Sequence, residues 1–387
     1  MGMSLASHTL PESVERLVSE FKYVPQVVAS DAERELKDEQ REQKLASPKF
    51  GTVFTDHMAL ISWVNGKGWR DLRVVPYGPL TLDPATAVFH YAQEVFEGLK
   101  AYRFPDGSIW TFRPEMNAKR LNKSATRLAL PELPVDMFAA ACAALVRADK
   151  KWVPSSPDSS LYLRPFMFAS EPFLGVRPAN AVEFVVIASP AGSYFASGVK
   201  PVSIWVDTKY HRAAPGGTGD AKCGGNYAAS LLPQQLAAAQ GFDQVCYLDV
   251  GAGGRIEELG GMNLVFVRTD GTIETPALSG TILAGVTRDS LLKLAKDRGL
   301  NVVERAIHLP ELLEDFAAGN IAEVFSCGTA AVVTPVGRLA GDLHGKRFDI
   351  KVGDGNPGKI TMELREALTA IQYGLAPDKH GWMTRLV

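Results

Sequence analysis

The sequence predicts a mixed α/β protein of two domains. Its 387 residues are about twice the usual domain size of roughly 150 residues. Strand-like and helix-like segments are mixed in both halves, which is typical of α/β and α+β folds. Between the halves, residues 190–200 lose this periodicity and are mostly small residues. We therefore expect a smaller α/β domain with an N-terminal extension over 1–189, an interdomain linker over 190–200 and a larger domain over 201–387.

The first half contains signals of both hairpins and helices. Alternating apolar residues at 59–64, followed by the turn sequence NG, predict a strand pair. The segment 85–99 (ATAVFHYAQEVFEGL) is apolar at helical spacing and predicts a helix. The turn sequence PDG at 105–107 predicts a second hairpin, and the charged residues at 31–44 predict a solvated helix or arm. The remaining elements of this half are helices over 117–130 and 135–152 and strands over 161–169 and 182–189.

Strands and helices alternate in the second half after an opening strand at 201–210. Periodicity gives the type of each later element, and clusters of glycine, proline and aspartate separate them. They are helices over 226–240, 287–299 and 309–319, strands over 244–249, 301–307 and 321–326, and a hairpin over 255–275.

Composition and charge exclude several classes of partner. The chain has 41 Lys+Arg against 43 Asp+Glu, a net charge of −2, so it lacks the basic excess of a nucleic-acid-binding protein. Its longest apolar runs are shorter than the roughly 20 residues that span a bilayer, and the first residues lack the features of a signal peptide. The four cysteines are scattered and the seven histidines form no metal-binding motif. We therefore expect a cytoplasmic protein with no metal site.

A glycine-rich segment near the C-terminus resembles nucleotide-binding loops. Residues 353–359 (GDGNPGK) satisfy the pattern G-x-G-x-x-G and nearly satisfy the P-loop pattern. However, Ile360 stands where a P-loop needs a hydroxyl for Mg²⁺, and Pro357 removes an amide donor. Too few residues follow for a dinucleotide-binding unit. We therefore expect only a turn that begins a helix over 360–371.

The segment 211–230 (HRAAPGGTGDAKCGGNYAAS) is the strongest candidate for a catalytic site. Lys222 lies between two glycine pairs, directly ahead of a predicted helix. A lysine must lose its proton before it attacks a carbonyl, and the positive end of a helix disfavours the ammonium form. The spacing alone leaves two interpretations open, a nucleophilic lysine and an ordinary surface lysine.

The lysine segment and eight other motifs, in order, resemble those of branched-chain amino-acid aminotransferases, which are pyridoxal-phosphate (PLP) enzymes of fold type IV. The segment GGTGDAKCGGNYAAS resembles the lysine loop of that family. The other motifs lie at 50–58, 91–103, 113–125, 162–165, 257–264, 284–288, 326–333 and 371–374. The resemblance implies a two-domain fold-type-IV aminotransferase that has its cofactor between the domains and forms an obligate homodimer.

The resemblance implies PLP as the cofactor and assigns residues to it. Lys222 would be the Schiff-base lysine and the base that moves a proton during catalysis. Glu258 would face the ring nitrogen, and its neighbour Glu257 is expected to face solvent because side chains alternate along a strand. Tyr227 would bind the phenolate oxygen. The phosphate would be bound by an arginine fork, by amides at a helix N-terminus and by hydroxyls, from Arg120, Val286, Thr287 and Thr329.

The resemblance also implies a pocket that accepts both branched apolar side chains and the γ-carboxylate of glutamate. An aromatic wall with one arginine at its edge meets both needs. Arg164 matches the γ-carboxylate contact, and the turn containing Thr329 and Ala330 matches the site of the α-carboxylate. The aromatic wall corresponds to Phe50, Tyr91, Phe96, Tyr162 and Tyr194, of which Tyr91 would come from the second subunit.

The sequence therefore predicts a branched-chain L-amino-acid aminotransferase. It would convert Leu, Ile or Val and 2-oxoglutarate into a branched 2-oxo acid and L-glutamate by ping-pong chemistry. One alternative is a fold-type-IV relative of other specificity, such as a D-amino-acid or (R)-amine transaminase or a PLP lyase. Another is a catalytically silent binding protein on the same scaffold. Arg164 disfavours the first alternative, and the presence of Lys222, Glu258 and Arg120 disfavours the second.

Overall fold

The computed structural model describes residues 38–387 except 47, 49, 157, 193–198 and 252–253. It divides into two units. The first ends at Tyr194 and resumes over Ala370–Val387, and the second is Phe195–Thr369. The division at Tyr194 lies within the segment 190–200. In contrast, the last residues group with the first unit, not with the second as the sequence predicts.

The described residues form eight α-helices and seventeen strands. The helices are α1 Asp38–Ala46, α2 Ala87–Tyr91, α3 Pro114–Arg127, α4 Val135–Ala148, α5 Gly224–Ala239, α6 Val286–Asp297, α7 Leu309–Ala317 and α8 Lys359–Gln372. The strands are β1 His57–Val64, β2 Gly68–Pro76, β3 Glu94–Phe96, β4 Leu99–Arg103, β5 Ile109–Phe112, β6 Ser160–Ala169, β7 Ala181–Ala191, β8 Val202–Asp207, β9 Gln244–Leu248, β10 Ile256–Leu259, β11 Asn263–Arg268, β12 Ile273–Pro276, β13 Val302–Arg305, β14 Ile321–Gly328, β15 Val332–Leu343, β16 Lys346–Lys351 and β17 Met383–Arg385. None of these helices is long and apolar enough to cross a membrane.

The first unit is built on an antiparallel sheet of eight strands. Its order is β17-β5-β4-β6-β7-β1-β2, and β3 pairs with β6 beside this path. Both predicted hairpins of this half are confirmed, because β1 pairs with β2 and β4 pairs with β5. Helix α4 packs on the sheet with Phe138 and Leu145 fully buried. Burying one side chain of this size stabilises the fold by about 1.5–3 kcal/mol.

The helix predicted over 85–99 is wrong beyond Tyr91. Helix α2 ends there, and Ala92 has a left-handed backbone with φ 47°. The chain then continues as β3, which pairs with β6 and places Phe96 opposite Phe166. A neighbouring strand therefore satisfies the backbone of this segment, and this pairing outweighs the helical spacing of its apolar residues.

The second unit is built on a mixed sheet of nine strands. Its order is β10-β9-β8-β15-β14-β11-β12-β13, with β16 beside β15. Strand β8 is parallel to β9 and β15, whereas β15 is antiparallel to β14. The sequence patterns do not predict β15, because Pro335 and Gly337 are residues that disfavour a central strand. Val206, Phe266 and Leu339 are buried in the core of this unit.

The glycine-rich segment 353–359 leads into helix α8, whose N-terminus binds a carboxylate of the chain itself. Glu323 accepts hydrogen bonds from the backbone amides of Ile360 at 3.0 Å and Thr361 at 2.8 Å, and from the Thr361 hydroxyl at 2.7 Å. A Cβ atom at Gly358 would collide with this carboxylate, so a side chain there would push Glu323 away from the helix end. The helix end that a nucleotide phosphate would need is thus occupied by Glu323.

Replacing Glu323 with alanine is expected to destabilise the protein by about 1–2 kcal/mol, because the change removes the acceptor of two helix amides. Urea unfolding measures the loss. Glu363→Ala is the control, since Glu363 lies on the same helix and its ion pair with Lys359 is exposed and 3.9 Å long. That control should change the stability by less than about 0.5 kcal/mol. Equal stability of the two variants would contradict the capping role.

Candidate active site

Lys222 and Tyr227 are brought together at the start of helix α5. Cys223, the residue before the helix, has an extended backbone, so Lys222 lies just outside the first turn and Tyr227 lies within the helix. The Lys222 Nζ atom donates to the Tyr227 hydroxyl oxygen at 2.5 Å and lies 4.9 Å from the centre of its ring. Both side chains are half-buried. This lysine is therefore held by a polar partner, unlike an ordinary surface lysine.

Asn226 fastens the loop before Lys222 to the same helix. Its Nδ2 atom donates to the carbonyl oxygens of Thr218 at 2.7 Å and Ala221 at 2.8 Å, and its Oδ1 atom accepts from the Thr218 hydroxyl at 2.7 Å. The Asn226 side chain is buried. Because buried polar groups with satisfied hydrogen bonds make a structure rigid, the backbone on the N-terminal side of the lysine is held in one conformation.

Glu258 is a buried acid on strand β10 with three N–H groups around it. One oxygen lies 2.5 Å from an Arg212 guanidinium nitrogen and accepts from the Leu283 amide at 2.9 Å. The other accepts from the Asn263 side chain at 2.9 Å. Burial raises the pKa of Glu258 to about 7, and Arg212, the Leu283 amide and Lys222 act in the opposite direction. The acid is thus oriented by its partners and lies in the electrostatic field of Lys222.

Glu257 is also buried, and the expectation that it faces solvent is wrong. All four residues of β10 are buried, because both faces of this strand are covered. Neighbouring side chains along a strand point to opposite faces of the sheet, but neither is exposed when both faces are packed. One Glu257 oxygen accepts from the Thr281 hydroxyl, and the other has no hydrogen-bond partner among the described residues. Burial raises the pKa of Glu257, opposed by Thr281 and Arg212.

Val286 and Thr287 form the first turn of helix α6. The residue before them, Gly285, is the N-cap and has no side chain that could accept the first-turn amides. A Cβ atom at Gly285 would collide with the Asn263 side chain, so a capping residue does not fit there. Amides at such a helix end point outward and favour an anion.

Thr329 and Ala330 lie in the turn that joins β14 to β15. Val332, at the end of this turn, has φ 62°, a conformation that costs a β-branched residue on the order of 1–3 kcal/mol. Arg365 of helix α8 donates to the carbonyl oxygens of the residues on either side of Val332, at 3.2 and 3.3 Å. The turn is therefore supported by an arginine that the sequence motifs do not identify.

Arg120 lies on helix α3, and its fork binds a carboxylate of the chain. Its Nε and Nη2 atoms donate to the two oxygens of Glu97 at 2.7 and 2.8 Å, and the Asn117 amide donates to the same carboxylate at 2.8 Å. Glu97 is fully buried. The two forked nitrogens therefore face Glu97, which sets the orientation of the guanidinium, and the binding of a phosphate by Arg120 stays a prediction. A charged residue within the apolar sequence EVFEGL is a signal of such a buried partner.

Two aromatic side chains of the predicted wall contact Arg164, and a third packs on one of them. The Phe50 and Tyr162 rings meet edge to face with centres 5.0 Å apart. The Arg164 guanidinium lies 4.8 Å from the centre of the Phe96 ring and 5.3 Å from that of Tyr162, and donates to the Tyr162 hydroxyl at 2.9 Å. A Cβ atom at Gly98 would collide with the same hydroxyl. The structure thus brings Phe50, Phe96, Tyr162 and Arg164 into one group.

The other two aromatic residues of the predicted wall lie elsewhere or outside the description. Tyr91 is the last residue of helix α2, is exposed, and donates its hydroxyl hydrogen to the Leu174 carbonyl oxygen. Tyr194 lies outside the described residues. The region around Tyr91 also exposes Phe89 and Val176.

The two units therefore contain different parts of the predicted site. The second holds an amine beside a phenol, a buried acid and a helix end without a capping side chain. The first holds an arginine oriented by a carboxylate, and an aromatic group around a second arginine. In the part of the chain that the structure describes, no three His, Cys, Asp or Glu side chains are grouped in a way that could hold a metal ion.

The chain is similar to known proteins over most of its length. Residues 94–339 match the family model of amino-transferase class IV. A branched-chain-amino-acid aminotransferase of Mycobacterium tuberculosis is 56% identical over 353 residues, which are 90% of this chain and 95% of that protein. The crystal structure of the Escherichia coli branched-chain amino acid aminotransferase has a TM-score of 0.70 and 30% identity, and covers 85% of this chain and 100% of its own. The enzyme of the same name from Thermobaculum terrenum, solved in its PLP form, has a TM-score of 0.68 and 26% identity over 84% of this chain and 98% of its own.

Proposed function

The chain belongs to the class IV aminotransferases and is thus a pyridoxal-phosphate-dependent transaminase, and we propose that it transfers the amino group of leucine, isoleucine or valine to 2-oxoglutarate. The products are a branched 2-oxo acid and L-glutamate. The observation that carries the proposal is the group of Arg164, Phe96 and Tyr162, in which a guanidinium lies against two aromatic rings. The rings suit a branched apolar side chain, and the guanidinium suits the γ-carboxylate of glutamate. The printed name of the 56% identical relative supports the same substrates.

The donor groups of the second unit fit pyridoxal phosphate. An amine suits its aldehyde, a phenol suits its phenolate oxygen, a buried acid suits its ring nitrogen, and an uncapped helix end suits its phosphate. These groups are Lys222, Tyr227, Glu258 and the N-terminus of α6. When bound, the cofactor supplies the electrophile for an amine and the sink for the electrons at Cα.

Lys222 is the proposed catalytic base. In its unprotonated form, the Nζ atom would take the proton from the Cα atom of the amino acid and hold it for the next transfer. The Tyr227 hydroxyl, 2.5 Å away, orients this nitrogen and is proposed to bind the phenolate oxygen. The Asn226 contacts limit the movement of the loop, so the proton is carried over a short and defined path.

Glu258 is proposed to stabilise a proton on the ring nitrogen. A cation beside a buried carboxyl favours its ionised form, and the three N–H groups around Glu258 hold it in one orientation. Phosphate binding is proposed for Arg120, whose orientation is set by Glu97, for the α6 amides of Val286 and Thr287, and for the hydroxyls of Thr287 and Thr329. The turn with Thr329 and Ala330 is proposed to receive the substrate α-carboxylate.

Replacing Arg164 with methionine is expected to separate the two half-reactions. The reaction with 2-oxoglutarate should lose about 10²-fold or more in kcat/KM, because a charged substrate group is left unpaired in an apolar site. The reaction with L-leucine should change by less than about tenfold, since it needs only the apolar wall. Single-turnover absorbance measurements follow each half-reaction.

Arg338→Met is the control for this prediction, because Arg338 also lies on an aromatic ring, that of Phe242, and pairs with Asp349 at 2.6 Å on the surface of the second unit. It should leave both half-reactions at the wild-type rate. An equal loss for leucine and 2-oxoglutarate in Arg164→Met would contradict the role of Arg164 in γ-carboxylate binding.

The proposed function is tested by the visible absorbance of the purified protein with bound pyridoxal phosphate. L-leucine should shift the band, and 2-oxoglutarate should restore it, in a cycle that releases the 2-oxo acid and L-glutamate. A protein that stays colourless with added cofactor would refute the assignment. D-leucine or an (R)-amine reacting as well as L-leucine would point to a fold-type-IV relative of other specificity.

We also propose that the enzyme is a homodimer in which Tyr91 reaches the substrate pocket of the second subunit. Phe89 on the same helix, and Leu174 and Val176 on the segment that Tyr91 contacts, are also exposed apolar side chains, and such side chains are common at interfaces. Sedimentation should give the mass of two chains for the wild type, and Val176→Lys should favour the single chain and raise the KM for leucine. Leu375→Lys, at another exposed position of the same unit, is the control. A single-chain wild type with full activity would contradict the proposal.

We propose a cytoplasmic location, which the state of the cysteines supports. All four are free, buried thiols, as expected in a compartment that keeps thiols reduced. Cell fractionation followed by immunodetection tests the location, and recovery of the protein in the membrane or secreted fraction would contradict it.

A further inference from the structure

Arg212 is a buried arginine on the N-terminal side of the lysine loop, with a side chain only 4% exposed. Its Nη2 atom lies 2.5 Å from Glu258 Oε1 and donates to the carbonyl oxygens of Gly219 at 2.7 Å and Thr281 at 2.5 Å. Its Nε atom is buried and has no hydrogen-bond partner among the described residues. A guanidinium is costly to bury with an unsatisfied nitrogen, so its presence here calls for a role beyond packing.

The three partners of Arg212 belong to three segments, each of which leads to a group proposed to contact the cofactor. Gly219 is in the loop that ends at Lys222. Glu258 is on strand β10. Thr281 is in the segment that leads into α6, whose N-terminus is the proposed phosphate site.

Two of these segments are also in direct contact. A Cβ atom at Gly219 would lie 2.5 Å from the Thr281 carbonyl oxygen and 2.7 Å from its Cα atom, so any side chain there would push the lysine loop away from this segment. The Leu283 amide, two residues further on, donates to Glu258 at 2.9 Å. One guanidinium therefore lies where the three segments meet.

Arg212 is also the cation that two buried acids share. It lies beside Glu258 and lowers the pKa of both Glu258 and Glu257, whereas burial raises both. Without its charge, both acids would favour the protonated form, and a neutral Glu258 cannot balance a positive ring nitrogen. The charged and titratable groups that face these two acids are Arg212, Lys222, Cys246, Asp249, Arg255 and Cys327.

We propose that Arg212 is a positioning residue of the transaminase, which keeps Glu258 ionised and holds the lysine loop, strand β10 and the segment before α6 in one arrangement. The inference rests on the proposed roles of Lys222 and Glu258, and it does not depend on which amino acid is the substrate. Arg212 acts through these groups and touches neither the amino acid nor its 2-oxo acid.

The test compares Arg212→Met and Arg212→Lys with the wild type in three measurements. These are the Kd of pyridoxal phosphate by absorbance titration, the pH dependence of the absorbance of the loaded enzyme, and kcat and KM for L-leucine. Arg212→Met should weaken cofactor binding by about 10- to 100-fold, the effect known for loss of a group that orients a metal ligand. It should also shift the pH midpoint of the absorbance titration, and it should lower kcat with little change in KM. Arg212→Lys keeps the charge, so it should weaken cofactor binding but leave the pH midpoint near that of the wild type.

Arg268→Lys is the matched control, because Arg268 pairs with Asp315 at 2.9 Å and Glu274 at 3.3 Å in the same unit, away from the lysine loop. This variant should change the stability of the protein and leave cofactor binding, its pH dependence and the kinetics with L-leucine unchanged. If Arg212→Met does not fold, Arg212→Lys and Gly219→Ala decide the question, since both should bind the cofactor more weakly. Cofactor binding and pH dependence like those of the wild type in the folded Arg212 variants would overturn the proposal. A wild-type enzyme that binds pyridoxal phosphate but does not react with L-leucine would instead refute the proposed function and leave this test valid.

Discussion

The Lys222→Ala variant is expected to lose at least about 10⁴-fold in kcat/KM, because one amine is proposed to act both as the nucleophile and as the proton carrier. Residues 211–221 contain no second lysine that could replace it. The folded structure should persist, because Lys222 is half-buried and its donor bond to Tyr227 is only one contact of a loop that Asn226 also holds. The effect is thus expected in the chemistry and not in the stability.

Steady-state kinetics with L-leucine and 2-oxoglutarate measure this loss, and thermal unfolding measures the stability. Lys209→Ala is the control, since Lys209 is an exposed lysine of the same unit beside Tyr210 and should keep full activity. A small primary amine added to Lys222→Ala should restore part of the rate, because it can carry the proton from solution. Retained activity in Lys222→Ala without added amine would show that another group is the base.

The Glu258→Gln variant is expected to lose about 10²- to 10³-fold in kcat, the usual effect of removing one preorganised charge from a buried site. Glutamine keeps the shape of the side chain and can still accept from the Leu283 amide. It cannot balance a positive ring nitrogen, and it leaves the Arg212 guanidinium without its ion pair. The matched control is Glu257→Gln, because Glu257 is a buried acid on the same strand, and this variant should stay within about tenfold of the wild type.

Glu258 also gives the protein without its cofactor a defined pH dependence. Burial raises the pKa of this carboxyl from 4.5 to about 7 in the folded state, so the folded state binds the proton more tightly than the unfolded state. The stability from this group is present below pH 4.5 and is lost as the pH rises through about 7. The difference over this range is up to about 3 kcal/mol. Urea unfolding at several pH values should show a decline in the wild type that is smaller in Glu258→Gln, and equal declines would contradict the raised pKa.

The sequence predicts the strands and helices well where periodicity and turn residues agree. The NG and PDG turns correctly locate the hairpins β1–β2 and β4–β5, because such turns depend on a few local residues. The helix over 85–99 is wrong in its second part, because pairing with β6 is a non-local interaction that local spacing does not contain. Strand β15 is not predicted for the same reason, since its neighbours in the sheet compensate for Pro335 and Gly337.

The motifs name candidate residues of the site but not the residues that support them. Lys222 and Tyr227 are close together, and Arg164 lies against the Phe96 and Tyr162 rings, whereas the roles assigned to these residues stay predictions. Glu97, Arg212 and Arg365 are not predicted, because each acts on a segment that is distant in sequence. The charge of Glu97 within an apolar segment signals a buried partner but does not identify Arg120. The burial of Glu257 could not be predicted either, since alternation does not reveal whether both faces of a strand are covered.

Because the last residues of the chain belong to the first unit, a chain that is cut into two fragments would keep a strand pair between them. Strand β17 lies at the edge of the first sheet, with Met383 opposite Phe112, and the Leu386 amide donates to the Ile109 carbonyl oxygen at 2.8 Å. Two separate polypeptides, one ending at residue 192 and the other beginning at 199, would therefore still share this strand pair. The C-terminal residues would act as a docking peptide, which makes the enzyme suited to fragment complementation, with colour as the signal of reassembly.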